Sequence, residues 1–261
     1  MFTKANLGVS IVLSTVILTS VLCIVVFTAS YVAHDAVNAQ IENAQFDQAQ
    51  NVMLALDKLI KRVMYKPESS GYVKTSFWTV TPYFTETGEK LEVWIDGEKE
   101  LEVLVNVVKI KGGPRTSVAT DRELIGNGKL LLTNIFDSLG RVRIYQSVGA
   151  WITLDYSRVR CIYTGAFTNL NENQIYNHIE ITVMNVTFGT FKAQEKASFT
   201  VKNTGLMPIQ GNIGASNFTI QVQKSGAQPE TCTLAQLGGD PINPTLINLV
   251  VVNVKISLEG D

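Results

Sequence analysis

The side chains that could perform acid–base or nucleophilic chemistry are few and scattered along this sequence. Its two histidines, His34 and His178, are far apart, and neither belongs to a His-x-x-x-His pair. The chain has no Cys-x-x-Cys and no Gly-x-Ser-x-Gly motif, and Gly128-Lys129 lacks the spacing of a phosphate-binding loop. An isolated histidine is usually a surface or structural residue. The motifs therefore predict no metal centre and no cofactor.

One charged stretch, LDYSRVR, interrupts an otherwise apolar strand pattern. Asp155, Arg158 and Arg160 can line a pocket, with His178 and Glu180 as the groups that would complete it. The alternative is a solvated face or a single cross-strand ion pair, which is the commoner arrangement of exposed charges. We favour the alternative, and expect that the chain is not an enzyme and has no small-molecule substrate.

The overall charge argues against a nucleic-acid partner. Lys and Arg total 22 against 23 Asp and Glu, which gives a net charge of −1. A nucleic-acid-binding domain normally carries a basic surface. Charged residues make up only 17% of the chain, below the roughly 25% of a typical soluble domain. A membrane segment, together with surface buried between subunits, would explain that deficit.

The N-terminal residues form a long apolar run. Between Lys4 and Asp35 there is no Asp, Glu, Lys or Arg, and the stretch from Leu7 to Ala33 is 27 residues long. A secretory signal has an apolar core of only about 7–15 residues, whereas about 20 apolar residues span a bilayer. We therefore predict a transmembrane helix over residues 6–34. Its Ser and Thr residues either face a neighbouring helix or bond back to their own backbone.

The flanking charges predict the orientation of this helix. Lys4 and the amino terminus are positive, while the far side carries Asp35, Glu42 and Asp47 before any Lys or Arg. By the positive-inside rule the N-terminus is cytoplasmic, and everything after residue 34 lies outside the cell membrane.

The next segment, residues 35–66, is polar but keeps a helical period. Apolar residues recur at three- and four-residue spacing, which predicts an amphipathic helix. These residues are Val37, Ile41, Ala44, Val52, Leu56, Leu59 and Val63. No Gly or Pro lies between Gly8 and Pro67, so the two segments form one rod of roughly 87 Å. The apolar stripe requires a partner, either the chain's own domain or neighbouring copies.

The N-terminal quarter of the chain resembles a type IV pilin of the archaeal kind. The stretch KANLGVSIV resembles a class III signal peptide, in which a short positive leader (residues 1–5) is followed directly by the apolar helix. The resemblance implies that a prepilin-type peptidase cuts between Ala5 and Asn6, after Lys4. Ser10 stands where bacterial pilins carry a glutamate, which argues against a bacterial pilin.

The resemblance implies a structural subunit of an archaeal type IV pilus-like cell-surface filament that polymerises through its N-terminal helix. The residues expected to pack in the filament core lie in the apolar half of that helix. They are Gly8, Val12, Val16, Thr19, Cys23 and Val26. The alternative is a pilin-like membrane protein that does not polymerise, namely a minor pilin, a filament-base component or a stalked extracellular binding module.

Three cysteines and two sequons bear on the external part of the chain. Cys23 lies in the predicted membrane helix, where it acts as a small apolar residue. Cys161 and Cys232 both lie in the predicted extracytoplasmic domain, where a disulfide between them is possible. Whether it forms depends on the distance between the two residues, which the sequence does not give. Asn185-Val-Thr and Asn217-Phe-Thr match the N-glycosylation acceptor pattern.

Residues 72–261 have the pattern of an antiparallel β-sandwich. Alternating apolar runs flank Asp96-Gly97, which is a strong hairpin signal. The C-terminal run places alternate residues from Leu246 to Leu258 on one face, and Asn203-Thr204-Gly205 can supply a tight turn, as in archaellin-type domains that it resembles. We therefore predict an α+β chain with one large core or two small ones, and a candidate subdomain break at residues 112–114.

The cleavage assignment predicts the effect of one substitution. Ala5→Trp places a bulky side chain at the junction, so we expect this variant to escape maturation. Intact mass and N-terminal sequencing of protein from its native membranes measure the result. The wild type then begins at Asn6 and the variant keeps its leader. Normal mature protein from the variant would rule the assignment out.

Overall fold

The computed structural model describes residues 6–127, 130–170, 173–209, 213–214 and 218–260, the side chains of residues 6–12 and 213–214 excepted. Within these ranges the chain forms a long N-terminal helix, two seven-stranded sheets and one short helix. The predicted α+β class, a long helix followed by a mainly antiparallel β domain, is confirmed.

The first helix, α1, runs unbroken from Asn6 to Val63, which is about 87 Å at 1.5 Å per residue. Its continuity follows from the lack of Gly and Pro, the two residues that most readily interrupt a helix. Lys61 and Arg62 lie in its last turn, where cations interact favourably with the helix dipole.

The β domain follows directly. Its strands are β1 (Ser70–Ser76), β2 (Thr81–Ile95), β3 (Glu98–Lys111), β4 (Arg122–Ile125), β5 (Leu132–Thr133), β6 (Arg141–Ser147), β7 (Gly149–Asp155), β8 (Val159–Asn169), β9 (Gln174–Phe191), β10 (Lys196–Ile209), β11 (Ile213–Gly214), β12 (Thr219–Lys224), β13 (Glu230–Thr233) and β14 (Thr245–Gly260), and its helix is α2 (Leu234–Leu237). Sheet A has the order β1-β10-β14-β9-β8-β5, with β11 paired to β14, and sheet B has the order β13-β12-β2-β3-β7-β6-β4. Neighbouring strands are antiparallel except for β9 with β14 and β5 with β8, which are parallel.

The C-terminal half of α1 fills one end of the sandwich. Its buried residues pack against the inner sides of both sheets. They are Phe46, Ala49, Val52, Met53, Leu56, Ile60 and Val63. The predicted stripe therefore lies on the chain's own domain from Val52 onward, whereas Val37, Ile41 and Ala44 are exposed.

The domain has two hydrophobic cores, and the long strands change the side that they bury between them. In β14, residues 247, 249 and 251 belong to the core distant from α1, whereas residues 252, 254, 256 and 258 belong to the core around α1. Strand β9 makes the same change between Val183 and Met184. The predicted face from Leu246 to Leu258 packs on the core around α1 only from Val250 onward, because before that point the strand buries its opposite side in the other core.

The two turn predictions have opposite outcomes. Asp96 and Gly97 have φ values of 51° and 85° and connect β2 to β3, so the predicted hairpin is confirmed. The predicted turn at Asn203-Thr204-Gly205 is wrong, because β10 continues through it with an irregular register. Asn203 instead caps α1: its Nδ2 donates to the carbonyl oxygens of Val63 at 2.9 Å and Met64 at 3.0 Å.

The burial of α1 predicts an asymmetric response to substitution. Leu56 is 0% exposed, so we expect Leu56→Ala to lower the free energy of unfolding by about 2–5 kcal/mol. Ile41 on the same helix is 47% exposed, so Ile41→Ala should change it by no more than about 0.5 kcal/mol. Chemical denaturation of the full chain in detergent measures both. Equal losses would contradict the packing of α1 described above.

Candidate functional site

The N-terminal half of α1 projects free of the β domain. Every side chain from Leu13 to Val37 is exposed, including large apolar ones such as Leu18 and Phe27. This half of the helix is long and apolar enough to cross a membrane. An exposed apolar surface of this extent requires lipid or protein to cover it.

Three hydroxyl groups of this segment, those of Thr19, Ser20 and Thr28, bond back to their own helix. Thr19 Oγ1 donates to the carbonyl oxygens of Thr15 at 2.9 Å and Val16 at 3.0 Å. Ser20 Oγ donates to Val16 O at 2.7 Å, and Thr28 Oγ1 donates to the carbonyl four residues before it at 2.8 Å. These hydroxyls therefore need no outside partner in an apolar environment.

The structure describes part of the predicted processing and assembly set. Lys4 and Ala5 lie outside the described residues, and Asn6 is the first residue of α1. Gly8 and Val12 lie on α1 where side chains are not described. The remaining predicted assembly residues are exposed on the helix. They are Val16, Thr19, Cys23 and Val26.

A group of three charged residues joins α1 to the domain just after the apolar segment ends. Glu42 is only 6% exposed. Its Oε2 accepts from the backbone N–H of Arg115 at 2.6 Å, and its Oε1 accepts from Arg115 Nη1 at 3.2 Å. Arg115 Nε donates to Asp35 Oδ1 at 2.7 Å. Asp35 and then Glu42 raise the pKa of Arg115. We call Asp35, Glu42 and Arg115 the clasp.

The loop after β3 makes the clasp sterically possible. A Cβ on Gly113 would lie 2.5 Å from Glu42 Oε2, and one on Gly112 would lie 3.0 Å from the Phe46 ring. Only glycine therefore lets the loop approach α1 this closely. The segment 112–114, predicted as a candidate subdomain break, lies against α1.

A second buried carboxylate fixes the other end of the helix. Asp57 is 0% exposed, and its Oδ1 accepts from the Tyr156 hydroxyl at 2.8 Å. Lys61 Nζ lies 2.6 Å from its Oδ2. Burial, and then the charge of Asp57, hold the pKa of Tyr156 well above its usual value. The only sequence signal for this contact is an acid on the side of the helix that also carries Met53 and Ile60.

The charged side chains between β7 and β8 form hydrogen bonds within the domain. Asp155 Oδ1 accepts from the backbone N–H and the hydroxyl of Ser157. Arg158 is 2% exposed, and donates from Nε to Leu130 O and from Nη1 to Ser138 O. Burial lowers the pKa of Arg158. Both side chains thus serve to fix backbone in place.

The other catalytic candidates lie on sheet A. Arg160 donates from Nη1 to the Tyr65 hydroxyl at 3.1 Å and from Nη2 to Asp137 O at 3.2 Å. His178 and Glu180 lie on β9, whereas Asp155 lies on β7 of sheet B.

The cysteines and sequons occupy different surroundings. Cys161 is buried and Cys232 half-buried, and both are free thiols in the structure. Burial, and to a smaller extent the neighbouring Cys232, raise the pKa of Cys161. The disulfide between Cys161 and Cys232 stays a prediction. Asn185 Nδ2 donates to Asn253 Oδ1 at 2.8 Å, and Asn217 lies outside the described residues.

Comparison with known proteins does not assign this chain to a family. No protein-family model, no curated protein and no solved structure matches this chain. Among the described residues, no group of three or more His, Cys, Asp and Glu side chains is placed to hold a metal ion. The helix and its attachment to the domain are therefore the features on which a functional proposal rests.

The geometry of the clasp predicts that substitution of Glu42 lowers stability more than substitution of Asp35. Glu42 is the buried partner, and Glu42→Gln leaves the backbone N–H and Nη1 of Arg115 without this charged acceptor, so we expect a loss of about 1–3 kcal/mol in stability. Asp35 is half-exposed, and Asp35→Asn should cost less than about 1 kcal/mol. Denaturation of the full chain, with hydrogen exchange of residues 112–118, measures both effects. A larger cost for Asp35→Asn would contradict the buried role of Glu42.

Proposed function

We propose that this protein is a structural subunit of an archaeal type IV pilus-like cell-surface filament, and that it polymerises through α1. The observation that carries the proposal is one continuous helix in two different surroundings. Its C-terminal half is buried in its own domain, and its N-terminal half is apolar and exposed. A pilin-like protein uses such a helix to stay in the membrane before assembly and to pack against other helices afterwards.

One exposed face of α1 continues beyond the apolar segment. At about 100° per residue, Val37, Ile41 and Ala44 fall on the same side of the helix as Val16 and Val26. Every residue of this face from Val16 to Ala44 is exposed. We call the set the outer stripe. Its members are Val16, Thr19, Cys23, Val26, Ser30, Ala33, Val37, Ile41 and Ala44.

The outer stripe favours a filament over a plain anchor. Val37 and Ile41 lie beyond Asp35, outside the apolar run, yet they are 51% and 47% exposed. The hydrocarbon core of a bilayer is about 30 Å thick, or about 20 helical residues, so it does not cover them. Small and β-branched side chains let another helix approach closely. The stripe also points away from Phe46 and Met53, so a neighbouring helix can bind without displacing the domain.

The sequence supports the remaining parts of the proposal. The positive flank at Lys4 favours a cytoplasmic N-terminus and an external domain. The Lys4-Ala5 junction fits a prepilin-type peptidase that leaves Asn6 as the mature N-terminus. A pilin-like anchor that does not polymerise would share these features, but it would leave Val37 and Ile41 without a partner.

A charge substitution on the outer stripe tests the proposal. Val37→Asp with Ile41→Asp places two carboxylates where another helix would pack, so we expect the filaments to be lost. The protein should remain in the membrane and folded, because neither residue contacts the core. Val148→Asp, at a residue that is 84% exposed on the domain, is the matched control and should leave filaments intact.

Electron microscopy of sheared cell-surface material, with membrane fractionation, measures the outcome. Filaments of normal number from the double variant would overturn assembly through the outer stripe. Absence of filaments from wild-type cells, with the protein still in the membrane, would instead establish the non-polymerising alternative.

A further inference from the structure

Sheet B carries a patch of aromatic and basic side chains on the face turned away from the core around α1. Directly opposed residues of antiparallel strands point to the same side of a sheet. Two such rows cross the neighbouring strands β2, β3, β7 and β6. They are Thr81, Lys111, Trp151 and Tyr145 in one row, and Tyr83, Lys109, Thr153 and Arg143 in the other. We call these eight residues the platform.

The row between them establishes which way the platform faces. That row is Pro82, Ile110, Ile152 and Ile144, and all four are buried. Because side chains alternate along a strand, the two platform rows lie on the solvent side of sheet B.

The aromatic rings of the platform lie close together. Tyr83 and Trp151 extend from the strands on either side of β3, and their ring centroids are 5.6 Å apart at an angle of 48°. Lys111 Nζ is 5.6 Å from the Trp151 ring, and the Arg143 guanidinium is 5.2 Å from the Tyr145 ring. Thr153 is only 8% exposed although it lies on the outer side, so the longer side chains around it form a surface over the strands.

The platform is also positively charged. It contains three cations and no acid, and one of the cations, Arg143, forms an ion pair with Asp121 at 2.8 Å. Lys109 and Lys111 take part in no salt bridge within the described part of the chain. They lie about 6.8 Å apart along β3, at two residues of about 3.4 Å each.

We propose that the platform binds an acidic carbohydrate. The flat C–H face of a sugar ring packs on an aromatic ring such as Trp151 or Tyr83, and hydroxyls such as that of Thr81 exchange hydrogen bonds with sugar hydroxyls. Lys109 and Lys111 supply the charge for carboxylate or sulfate groups, and these pairs form at a partly desolvated surface where they are stronger than in water. The proposal goes beyond filament formation, and it holds whether or not the chain polymerises.

The charge of the chain limits the ligand. Its net charge is −1, whereas a protein that binds a polymer with a phosphate at every unit normally carries an extended basic surface, which disfavours nucleic acid. An acidic glycan, whose charge is sparser and whose rings are partly apolar, matches a small group of cations beside aromatic rings.

Sheet B contains a matched control. Trp94 and Lys99 lie opposite each other on β2 and β3, with Lys99 Nζ 6.0 Å from the Trp94 ring. This is the same pair of residue types as Trp151 and Lys111. Here, however, Lys99 is paired with Glu102 at 2.7 Å and Glu92 at 3.4 Å. Substitutions at this pair therefore change the same chemistry without touching the platform.

Isothermal titration of the full-length protein in detergent at low salt tests the proposal. The probes are oligogalacturonate, a chondroitin sulfate oligosaccharide, neutral dextran oligosaccharide and an oligodeoxythymidine. We expect at least one acidic glycan to bind and dextran not to bind. Lys109→Gln with Lys111→Gln, and separately Trp151→Ala, should weaken that binding about tenfold or more. Trp94→Ala with Lys99→Gln should leave it unchanged.

Three results would overturn the proposal. They are failure of both acidic glycans to bind the wild type, equal weakening by the control variant, and oligodeoxythymidine binding that is tighter than glycan binding and depends on Lys109 and Lys111. Circular dichroism establishes that each variant is folded. The double glutamine variant removes no buried group, so its folding does not limit the test.

Discussion

The burial of one face of α1 between the two sheets determines the rest of the structure. Met53, Leu56 and Ile60 are fully buried in the core that also contains Ile152 of β7 and Val254 of β14. Without the helix, the inner sides of these strands would face water, so this half of the domain depends on α1 for its core. Because α1 is continuous, the position of the domain relative to the apolar segment is set by the same packing.

Two buried carboxylates restrict how the helix fits. An unpaired buried charge is strongly unfavourable, so Glu42 and Asp57 are stable only where their partners reach them. Glu42 meets Arg115 near the end where α1 leaves the domain, and Asp57 meets Tyr156 near the other end. A shift of the helix along its axis, or a rotation about it, would break both contacts. Apolar packing alone would tolerate such a shift more readily, since it is less directional.

The sequence predicts local features of this fold better than distant ones. The hairpin at Asp96-Gly97 depends on adjacent residues that adopt positive φ, and the continuity of α1 depends on the absence of helix breakers. Asn203 lies 140 residues from the helix end that it caps, and turn preference alone assigned it wrongly. The clasp is also a contact between residues distant in sequence, since Arg115 and Glu42 are 73 residues apart. The platform escaped prediction because it appears only once four strands are placed side by side.

The fixed rotation of α1 also determines how the outer stripe and the platform are oriented relative to each other. The helix packs against the inner side of β7, where Ile152 and Leu154 lie, whereas Trp151 extends from the opposite side of that strand. The outer stripe is turned away from the domain core. A neighbouring helix on the stripe would therefore not need the surface that carries Trp151 and Lys111. In a filament built through the stripe, every copy would present its platform in the same orientation, and weak binding at single sites would add up along a polymeric ligand.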